Sequence, residues 1–358
     1  MNLIFRIFIF IFLFGQIAKA NMASPIWSGT MSGSAISSKD INILSEKIVV
    51  KIDESFRTAK FVVEYNIHSD FSGEQIPLLF FAKGYEGRFS VWMDDEIVDV
   101  YDITDKFVED SGLAGFSELL EKGEHDITIY WTKGAGSFYN ISEIKYFATD
   151  IERGNHKIRV EYIAGVWANV SGWIKEFSFR YSLSPAKYWK SFGSLEIIVE
   201  QEGAVKPILT NLGEPNEKEI KSKNTWFFNE LPDEYIEISY IPTPNKLAKI
   251  LISITPLGIS IIVTILLCMI HFFATLRYRQ KNRTKNYSLV VVIGSVFIPF
   301  LSLLSFVCSF NLIDYVIGED AGRYHGYVFL IFIYYPVIMI IYWVIFWLID
   351  RRYKKKLR

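Results

Sequence analysis

The densest group of reactive side chains in this chain of 358 residues is acidic. Eight carboxylates fall within seventeen consecutive positions, and they are Asp94, Asp95, Glu96, Asp99, Asp102, Asp105, Glu109 and Asp110. Calcium takes several oxygens from one short loop, so Asp99 and Asp102 are candidate cation ligands. The spacing differs from that of an EF-hand loop, which has a glycine at its sharp turn, and Asp94-Asp95 is typical of a hairpin turn. We therefore favour a solvated turn followed by a helix cap and keep a cation site as the alternative.

The chain carries none of the short motifs that mark common catalytic or nucleotide-binding sites. It has no H-E-x-x-H, G-x-S-x-G, P-loop or G-x-G-x-x-G sequence. Both cysteines, Cys268 and Cys308, fall in long apolar runs, and His68, His125 and His156 show no pair at metal-ligand spacing. A serine triad assembled from distant positions remains the alternative, because such triads leave no local signature. We predict a protein that is not an enzyme and has no cofactor.

Aromatic side chains form a second group that could bind a partner or a ligand. Trp167 and Trp173 lie in the segment 165–173, which contains two glycines, and Tyr188 and Trp189 follow a proline. Rings on loops can stack on sugars or anchor a protein partner. These four residues are therefore candidates for a binding surface, although packing into a core is the commoner role of such rings.

The region that positions these groups, residues 21–245, shows apolar residues at every second position. Phe61, Val63, Tyr65 and Ile67 follow this pattern, and the segment 177–183 shows it most clearly. About ten such segments separated by turn residues predict an all-β domain, an antiparallel β-sandwich. Residues 105–122 interrupt the pattern and predict one helical insertion. A single sandwich is favoured, and two smaller ones would meet near residues 150–155.

Three apolar runs follow, at residues 250–274, 288–310 and 327–349. Each reaches the roughly 20 residues that cross the hydrocarbon core of a bilayer. Residues 246–358 are therefore predicted to form an α-helical membrane domain with three transmembrane helices.

The basic residues next to these runs predict the orientation in the membrane. Eleven lie in the connector 275–287 and in the tail after residue 350, whereas Arg323 is the one base in the other connector. The positive-inside rule places that first connector and the tail in the cytoplasm and residues 21–249 outside. The N-terminus agrees, because Arg6, the apolar stretch 7–14 and Ala18-Lys19-Ala20 predict a signal peptide over residues 1–20. An uncleaved signal anchor is the alternative and exports the same residues.

The exported region is acidic and lacks cysteine. Residues 21–249 contain 24 basic and 35 acidic side chains, a net charge of −11, which excludes nucleic acid as an expected partner. A region of this size without disulfides favours a bacterial envelope protein over a secreted animal domain. We expect the protein to reside in the bacterial inner membrane.

The second apolar run carries serines at intervals of seven residues, which places them on one face of a helix. Ser295, Ser302 and Ser309 form this stripe, and Gly258, Ser260 and Thr264 of the first run are its expected complement. Small residues let membrane helices approach closely, so the stripe predicts a helix-packing seam. A polar conduit is the sharper alternative.

These observations favour a membrane protein that presents an acidic β-sandwich for binding, as a subunit or scaffold of an envelope complex. Its expected partners are the lipid bilayer and another membrane protein, or a second copy of the chain through the spans. A ligand sensor that signals through a membrane partner is one alternative, and an envelope hydrolase is the other.

Overall fold

The computed structural model describes residues 26–27, 29–36, 41–102, 126–132, 135–140, 145–219, 222–322 and 325–357. The predicted signal peptide and helical insertion lie outside these residues. The chain divides into two compact units. The β unit contains Ile26–Asn169 and Glu176–Ile241, and the membrane unit contains Val170–Lys175 and Pro242–Arg358.

The β unit consists of strands, as the period-two pattern predicts. Its first ten strands are β1 (Ile26–Trp27), β2 (Met31–Ile36), β3 (Ile41–Ile52), β4 (Thr58–Ser69), β5 (Gly73–Lys83), β6 (Glu86–Met93), β7 (Glu96–Val98), β8 (Tyr101–Asp102), β9 (Asp126–Thr132) and β10 (Ala135–Asn140). The others are β11 (Lys145–Ile151), β12 (Gly154–Gly165), β13 (Trp167–Asn169), β14 (Glu176–Ser182), β15 (Ser191–Gln201), β16 (Leu209–Thr210), β17 (Glu217–Glu219), β18 (Lys223–Phe228) and β19 (Tyr235–Tyr240). A 3₁₀ turn, Ser184–Tyr188, precedes β15.

The described strands form two large open sheets and a separate hairpin of β9 and β10. One sheet has eight strands in the order β17-β18-β15-β3-β4-β12-β6-β7. The other has nine, in the order β1-β13-β14-β2-β5-β11-β8, with β19 beside β14 and β16 beside β19. The predicted β-rich region is confirmed, but both sheets are mixed rather than purely antiparallel, because β15 pairs parallel to β3 and β14 parallel to β2. Each parallel pair joins strands far apart in sequence, which a long crossover permits and local alternation cannot reveal.

Both large sheets contribute to one hydrophobic core. Val63 of β4 and Val160 of β12 lie in the same buried cluster as Phe179 of β14 and Ile238 of β19. Phe61 stacks on Tyr162 with ring centroids 5.3 Å apart. The alternating apolar residues therefore bury one face of each sheet, and this burial supplies most of the stabilisation of the β unit.

A bulge in β3 brings a carboxylate into this core. The pairing of β3 with β4 shifts register between Ile43 and Ser45, and Glu46 beyond the shift is fully buried. Its Oε1 accepts a hydrogen bond of 3.0 Å from the hydroxyl of Tyr181. The bulge needs a glycine opposite, because a Cβ at Gly193 would lie 2.0 Å from the carbonyl oxygen of Leu44.

The membrane unit contains the three predicted membrane helices. They are α1 (Lys246–Lys281), α2 (Leu289–Ile317) and α3 (Tyr335–Lys356), and a 3₁₀ turn, Val328–Tyr334, leads into α3. The first two helices, and the third together with the 3₁₀ turn before it (Val328–Lys356), are each long and apolar enough to cross a membrane, with a mean hydropathy of 2.5 in the most apolar window. The protein is therefore an integral membrane protein.

The first helix is broken near its start. Thr255 has φ 64° and ψ 159°, a conformation that is essentially restricted to glycine, and Pro256 follows it. Proline disfavours the α conformation in the residue before it, and Thr255 departs from that conformation here, so the helix restarts at Pro256. The predicted run 250–274 therefore spans this break, and continuous helix extends from Pro256 to Lys281.

Candidate functional site

The β unit contains a cleft of about 670 Å³ that is lined largely by acidic and aromatic side chains. The cleft lies between the β6–β7 hairpin, β8 and β11. Its polar lining includes Asp94, Glu96, Asp99, Asp150, Tyr101 and Tyr146, and among the described residues no lysine or arginine lines it.

The hairpin of β6 and β7 positions the acidic side of this cleft. Met93 pairs with Glu96, and the two residues between them, Asp94 and Asp95, have φ of 48° and 69°. Positive φ at both central positions is the geometry of a type I′ turn, whose twist matches that of the flanking strands. The predicted turn at Asp94-Asp95 is therefore confirmed.

The two candidate cation ligands have different surroundings. Asp99 lines the cleft, whereas Asp102 accepts a hydrogen bond of 2.7 Å from Nζ of Lys145. Burial lowers the pKa of Lys145, but the hydrogen bonds to Asp102 and Tyr85 outweigh it, and the net pKa is raised. Lys145 is therefore charged at neutral pH and satisfies Asp102. Within the described residues, no three histidine, cysteine or acidic side chains are grouped as metal ligands.

Two tyrosine rings form the other side of the cleft. The rings of Tyr101 and Tyr146 lie 5.6 Å apart, and Tyr101 is about half exposed. Burial, and then the neighbouring Tyr101, raises the pKa of Tyr146, so its hydroxyl stays neutral at physiological pH. Carboxylates beside neutral aromatic rings suit a cationic group, which gains both ion pairs and cation–π contacts.

His156 supports the hairpin that carries this cleft. Its Nδ1 lies 2.6 Å from Oδ2 of Asp94, and its Nε2 lies 2.8 Å from the carbonyl oxygen of Glu152. Both ring nitrogens therefore face acceptors, and only the protonated imidazolium can donate to both. Burial lowers the pKa of His156, but the hydrogen bonds to Asp94 and Glu152 raise it by a larger amount. The net pKa is therefore raised.

We predict that His156 makes stability depend on pH. Its pKa is raised in the fold, so its contribution is complete below the unfolded pKa and is lost as pH rises through the folded pKa. Below the unfolded pKa, His156→Gln should lower the free energy of unfolding by about 1–2 kcal/mol, because a hydrogen-bonded charge is lost. The free energy of unfolding of the full-length protein in detergent, measured from pH 5 to pH 9, checks this. His68→Gln, at a histidine that is more exposed than His156, is the control, and an unchanged pH slope in His156→Gln would refute the prediction.

Two of the predicted surface residues are buried in the β unit, which corrects that part of the expectation. Trp167 is 6% exposed and donates from Nε1 to the carbonyl oxygen of Thr30 at 3.0 Å. Trp189 is 5% exposed and stacks on Tyr65. These rings fill the interior because their strands and turns direct them into a large aromatic core. The side chain of Tyr188 lies outside the described part of the chain.

Trp173 belongs to the membrane unit. Its ring lies 5.7 Å from that of Phe310 and 5.6 Å from that of His325. Its carbonyl oxygen accepts a hydrogen bond of 3.0 Å from the backbone N–H of Gly322, and Lys175 donates its backbone N–H to Asp320. The segment 170–175 is thereby bonded to the end of α2 and the connector that follows it.

The serine stripe of α2 faces α1. Ser295 and Ser309 are each 2% exposed, and the hydroxyl of Ser260 on α1 donates to the carbonyl oxygen of Ser302 at 3.1 Å. Ser305 donates to Ser260 at 3.3 Å. Ser295, Ser302 and Ser309 also donate to carbonyls of their own helix, as serines in membrane helices often do.

Polar side chains continue along the interior of α1 at intervals of eleven, four and four residues, which keep them near one face of the helix. Ser260, His271, Thr275 and Arg279 are buried, while most large apolar residues of this helix are exposed. This arrangement is the reverse of that in a soluble helix. It is the expected one in lipid, where polar groups must find partners inside the bundle.

The strongest of these interior contacts is an ion pair that sequence reasoning missed. Nε and Nη2 of Arg279 each lie 2.5 Å from an oxygen of Asp350, and Nη1 donates to the carbonyl oxygen of Lys285. Arg279 is 1% exposed and Asp350 is 4% exposed. From the sequence, Arg279 counted only as one of the bases that set orientation. The available signal was Asp350 itself, the only acidic residue after Asp320.

His271 makes the second interior contact between helices. Its Nδ1 lies 2.8 Å from the hydroxyl of Tyr342, and its Nε2 lies 3.1 Å from the carbonyl oxygen of Val290. The ring stacks on Phe346 with centroids 4.3 Å apart. Gly294 provides the space, because a Cβ there would lie 2.1 Å from Nε2 of His271. Glycine lets the two helices approach closely at this point.

No protein-family model and no curated protein matches the sequence. Among solved structures, a Legionella pneumophila protein with a proposed role in nutrient binding is 14% identical to this chain. The match covers 60% of this chain and 71% of the Legionella chain, with a TM-score of 0.41. An M1 zinc metallopeptidase from Deinococcus radiodurans is 9% identical, with coverages of 57% and 43% and a TM-score of 0.26. Leukotriene A4 hydrolase from Saccharomyces cerevisiae is 7% identical, with coverages of 57% and 29% and a TM-score of 0.29. The chain spans less than half the length of these two enzymes, and likenesses this weak assign no activity.

Proposed function

We propose that the protein is a non-enzymatic scaffold subunit of a bacterial inner-membrane complex that binds a basic segment of a partner protein. In this proposal residues 21–249 lie outside the cytoplasm after export by the signal peptide, and the β unit is a sandwich. The observation that carries the proposal is the acidic, tyrosine-lined cleft of about 670 Å³.

The charge distribution supports the proposed orientation. The pair of Arg279 and Asp350 joins the basic end of α1 to the basic end of α3. At the opposite end of α1, Asn245 donates to the carbonyl oxygen of Val316 near the end of α2. Both basic segments therefore belong to one end of the three-helix unit, and the positive-inside rule assigns that end to the cytoplasm.

The cleft is suited to lysine or arginine side chains. Glu96 and Asp99 are exposed, and the part of the cleft that the structure describes contains neither lysine nor arginine beside them. Tyrosine is enriched at protein interfaces because it offers an apolar ring and a hydrogen-bonding hydroxyl at low entropic cost. The net charge of −11 in residues 21–249 would also steer a basic partner toward this region.

The membrane unit is more elaborate than an anchor requires. One span suffices to hold a domain at a membrane, whereas here three helices share the Arg279–Asp350 pair, the His271–Tyr342 contact and the serine stripe. The unit also bonds the segment 170–175 through Trp173 and Lys175. A specifically packed bundle of this kind favours a scaffold over a simple tether.

Binding of a defined basic peptide tests the proposal. A lysine-rich peptide should bind the full-length protein in nanodiscs, and the same peptide with glutamate in place of lysine should not. Glu96→Gln with Asp99→Asn should weaken binding about tenfold, because two negative charges of the cleft are lost. Glu202→Gln with Asp233→Asn, which removes the same charge elsewhere on the β unit, should change affinity less than twofold.

Equal losses in the two double variants would show that only net charge attracts the peptide, and the cleft would then not be the site. Affinity purification of the full-length protein from its membrane should also retain a stoichiometric partner that is lost in the Glu96→Gln, Asp99→Asn variant. Retention of that partner by the variant would contradict the proposed role of the cleft.

A further inference from the structure

A pocket of about 340 Å³ opens at the basic end of the membrane unit. The end of α1, the loop between α1 and α2, and the last turns of α3 form its walls. Four of its lining residues are basic, namely Arg279, Arg351, Lys354 and Lys355. The positive-inside rule explains why bases lie near this end, but it does not explain their convergence on one cavity.

The positive charge of this pocket is only partly compensated. Asp350 is the one carboxylate among the described lining residues, and both of its oxygens are bonded to Arg279. Nζ of Lys354 donates to the carbonyl oxygen of Lys285 at 2.8 Å, which is a neutral acceptor. Arg351 and Lys355 are exposed and lie one helical turn apart on α3. The pocket therefore keeps an excess of positive charge and suits an anion.

Trp347 indicates the depth of the pocket in the membrane. It lines the cavity one turn before Arg351, whose guanidinium lies 5.3 Å from the Trp347 ring. Tryptophan is enriched where membrane meets water, at the level of the lipid headgroups. An anion at this depth is supplied directly by the phosphates of the bilayer.

We propose that this pocket binds the phosphate group of an anionic phospholipid. Arg351 and Lys355 would contact the phosphate oxygens, the guanidinium with its planar fork and the ammonium as a point charge. Trp347 would pack against the apolar part of the same lipid. The proposal rests on the proposed function for the assignment of this end to the cytoplasmic leaflet. Basic pockets between membrane helices on that side bind such headgroups.

Lipid binding to the delipidated full-length protein in detergent, counted by native mass spectrometry, tests the inference. Phosphatidylglycerol should bind at least about tenfold more tightly than phosphatidylcholine. Arg351→Gln with Lys355→Gln should remove that preference. Arg352→Gln with Lys356→Gln, the neighbouring bases that do not line the pocket, should weaken phosphatidylglycerol less than about twofold. Inorganic phosphate at millimolar concentration should not displace the lipid.

Equal effects of the two double variants would show that the pocket is not the binding site. Equal binding of the two lipids would show that the site does not select an anionic lipid. Displacement by inorganic phosphate would show that the site takes a soluble anion and would overturn the lipid as its source. The melting temperatures of both variants verify that each is folded. In detergent both ends of the bundle are accessible, so this result is independent of peptide binding at the acidic cleft and of the orientation in the membrane.

Discussion

Replacing Asp350 by asparagine should destabilise the membrane unit by about 3–5 kcal/mol, the usual cost of leaving one partner of a buried ion pair without the other. Arg279 is 1% exposed, and asparagine cannot accept the two charged hydrogen bonds that Asp350 now accepts. Thermal unfolding of the full-length protein in detergent, followed by tryptophan fluorescence, measures the loss.

A double substitution separates the cost of an unpaired charge from that of lost packing. Arg279→Met with Asp350→Leu removes both charges, and it should recover most of the stability that Asp350→Asn loses, because no charge is left buried. Arg351→Gln, at an exposed position on the same turn, should cost less than about 0.5 kcal/mol. If Asp350→Asn were as mild as Arg351→Gln, the ion pair would not hold α1 to α3.

Replacing Gly294 by alanine should destabilise the bundle by about 1–3 kcal/mol through overpacking, although alanine is the better helix former. The new Cβ would lie 2.1 Å from Nε2 of His271, so the ring must leave its place beside Phe346 and Tyr342. The same unfolding experiment measures this effect.

The cause can be isolated by making room for the new methyl group. In an His271→Ala background, Gly294→Ala should cost much less than in the native chain, a coupling of at least about 1 kcal/mol. Gly326→Ala is the steric control, because no atom of the described residues lies within 4 Å of a Cβ at that position. Additive effects of the two substitutions would contradict the packing of His271 against Gly294.

The features that sequence predicted well depend on short-range pattern. Three apolar helices, a β-rich region before them and the turn at Asp94-Asp95 all follow from hydropathy and local geometry. The structure also shows features that those patterns did not predict, such as the helix break at Thr255, which lies before Pro256 within a continuous apolar run. Hydropathy averages over such a break because both sides of it are apolar.

The features that sequence did not predict depend on pairing between distant residues. The segment 177–183 alternates perfectly, yet the alternate positions Ser178, Arg180 and Ser182 of β14 are buried as well. Side chains of other segments cover this face, because the Trp167 ring lies 4.9 Å from the Arg180 guanidinium and the Ser184 hydroxyl lies 2.8 Å from that of Ser182. Arg180 pairs across the sheet with Glu237, which satisfies its charge. The alternating pattern therefore predicted a strand with one exposed face, whereas in the folded protein both faces of β14 are buried.

In the candidate sites too, local features were predicted from the sequence and contacts between distant residues were not. The acidic segment was visible in the sequence, but the tyrosine side of the cleft arises because β8 pairs with β11 and so places Tyr101 beside Tyr146. In the membrane unit, the serine stripe was visible from its seven-residue spacing. The partnership of Arg279 with Asp350, 71 residues away, required the packing of α1 against α3.

Labelling of single cysteines in intact spheroplasts tests the central claim, an integral membrane protein with its acidic region outside and its basic end in the cytoplasm. Cys268 and Cys308 would first be replaced by alanine, and Glu319→Cys, Thr284→Cys or Asp233→Cys introduced one at a time. A membrane-impermeant maleimide should label the cysteines at positions 319 and 233 in intact cells and the cysteine at position 284 only after permeabilisation. Labelling of position 284 in intact cells, with positions 319 and 233 protected, would contradict the account.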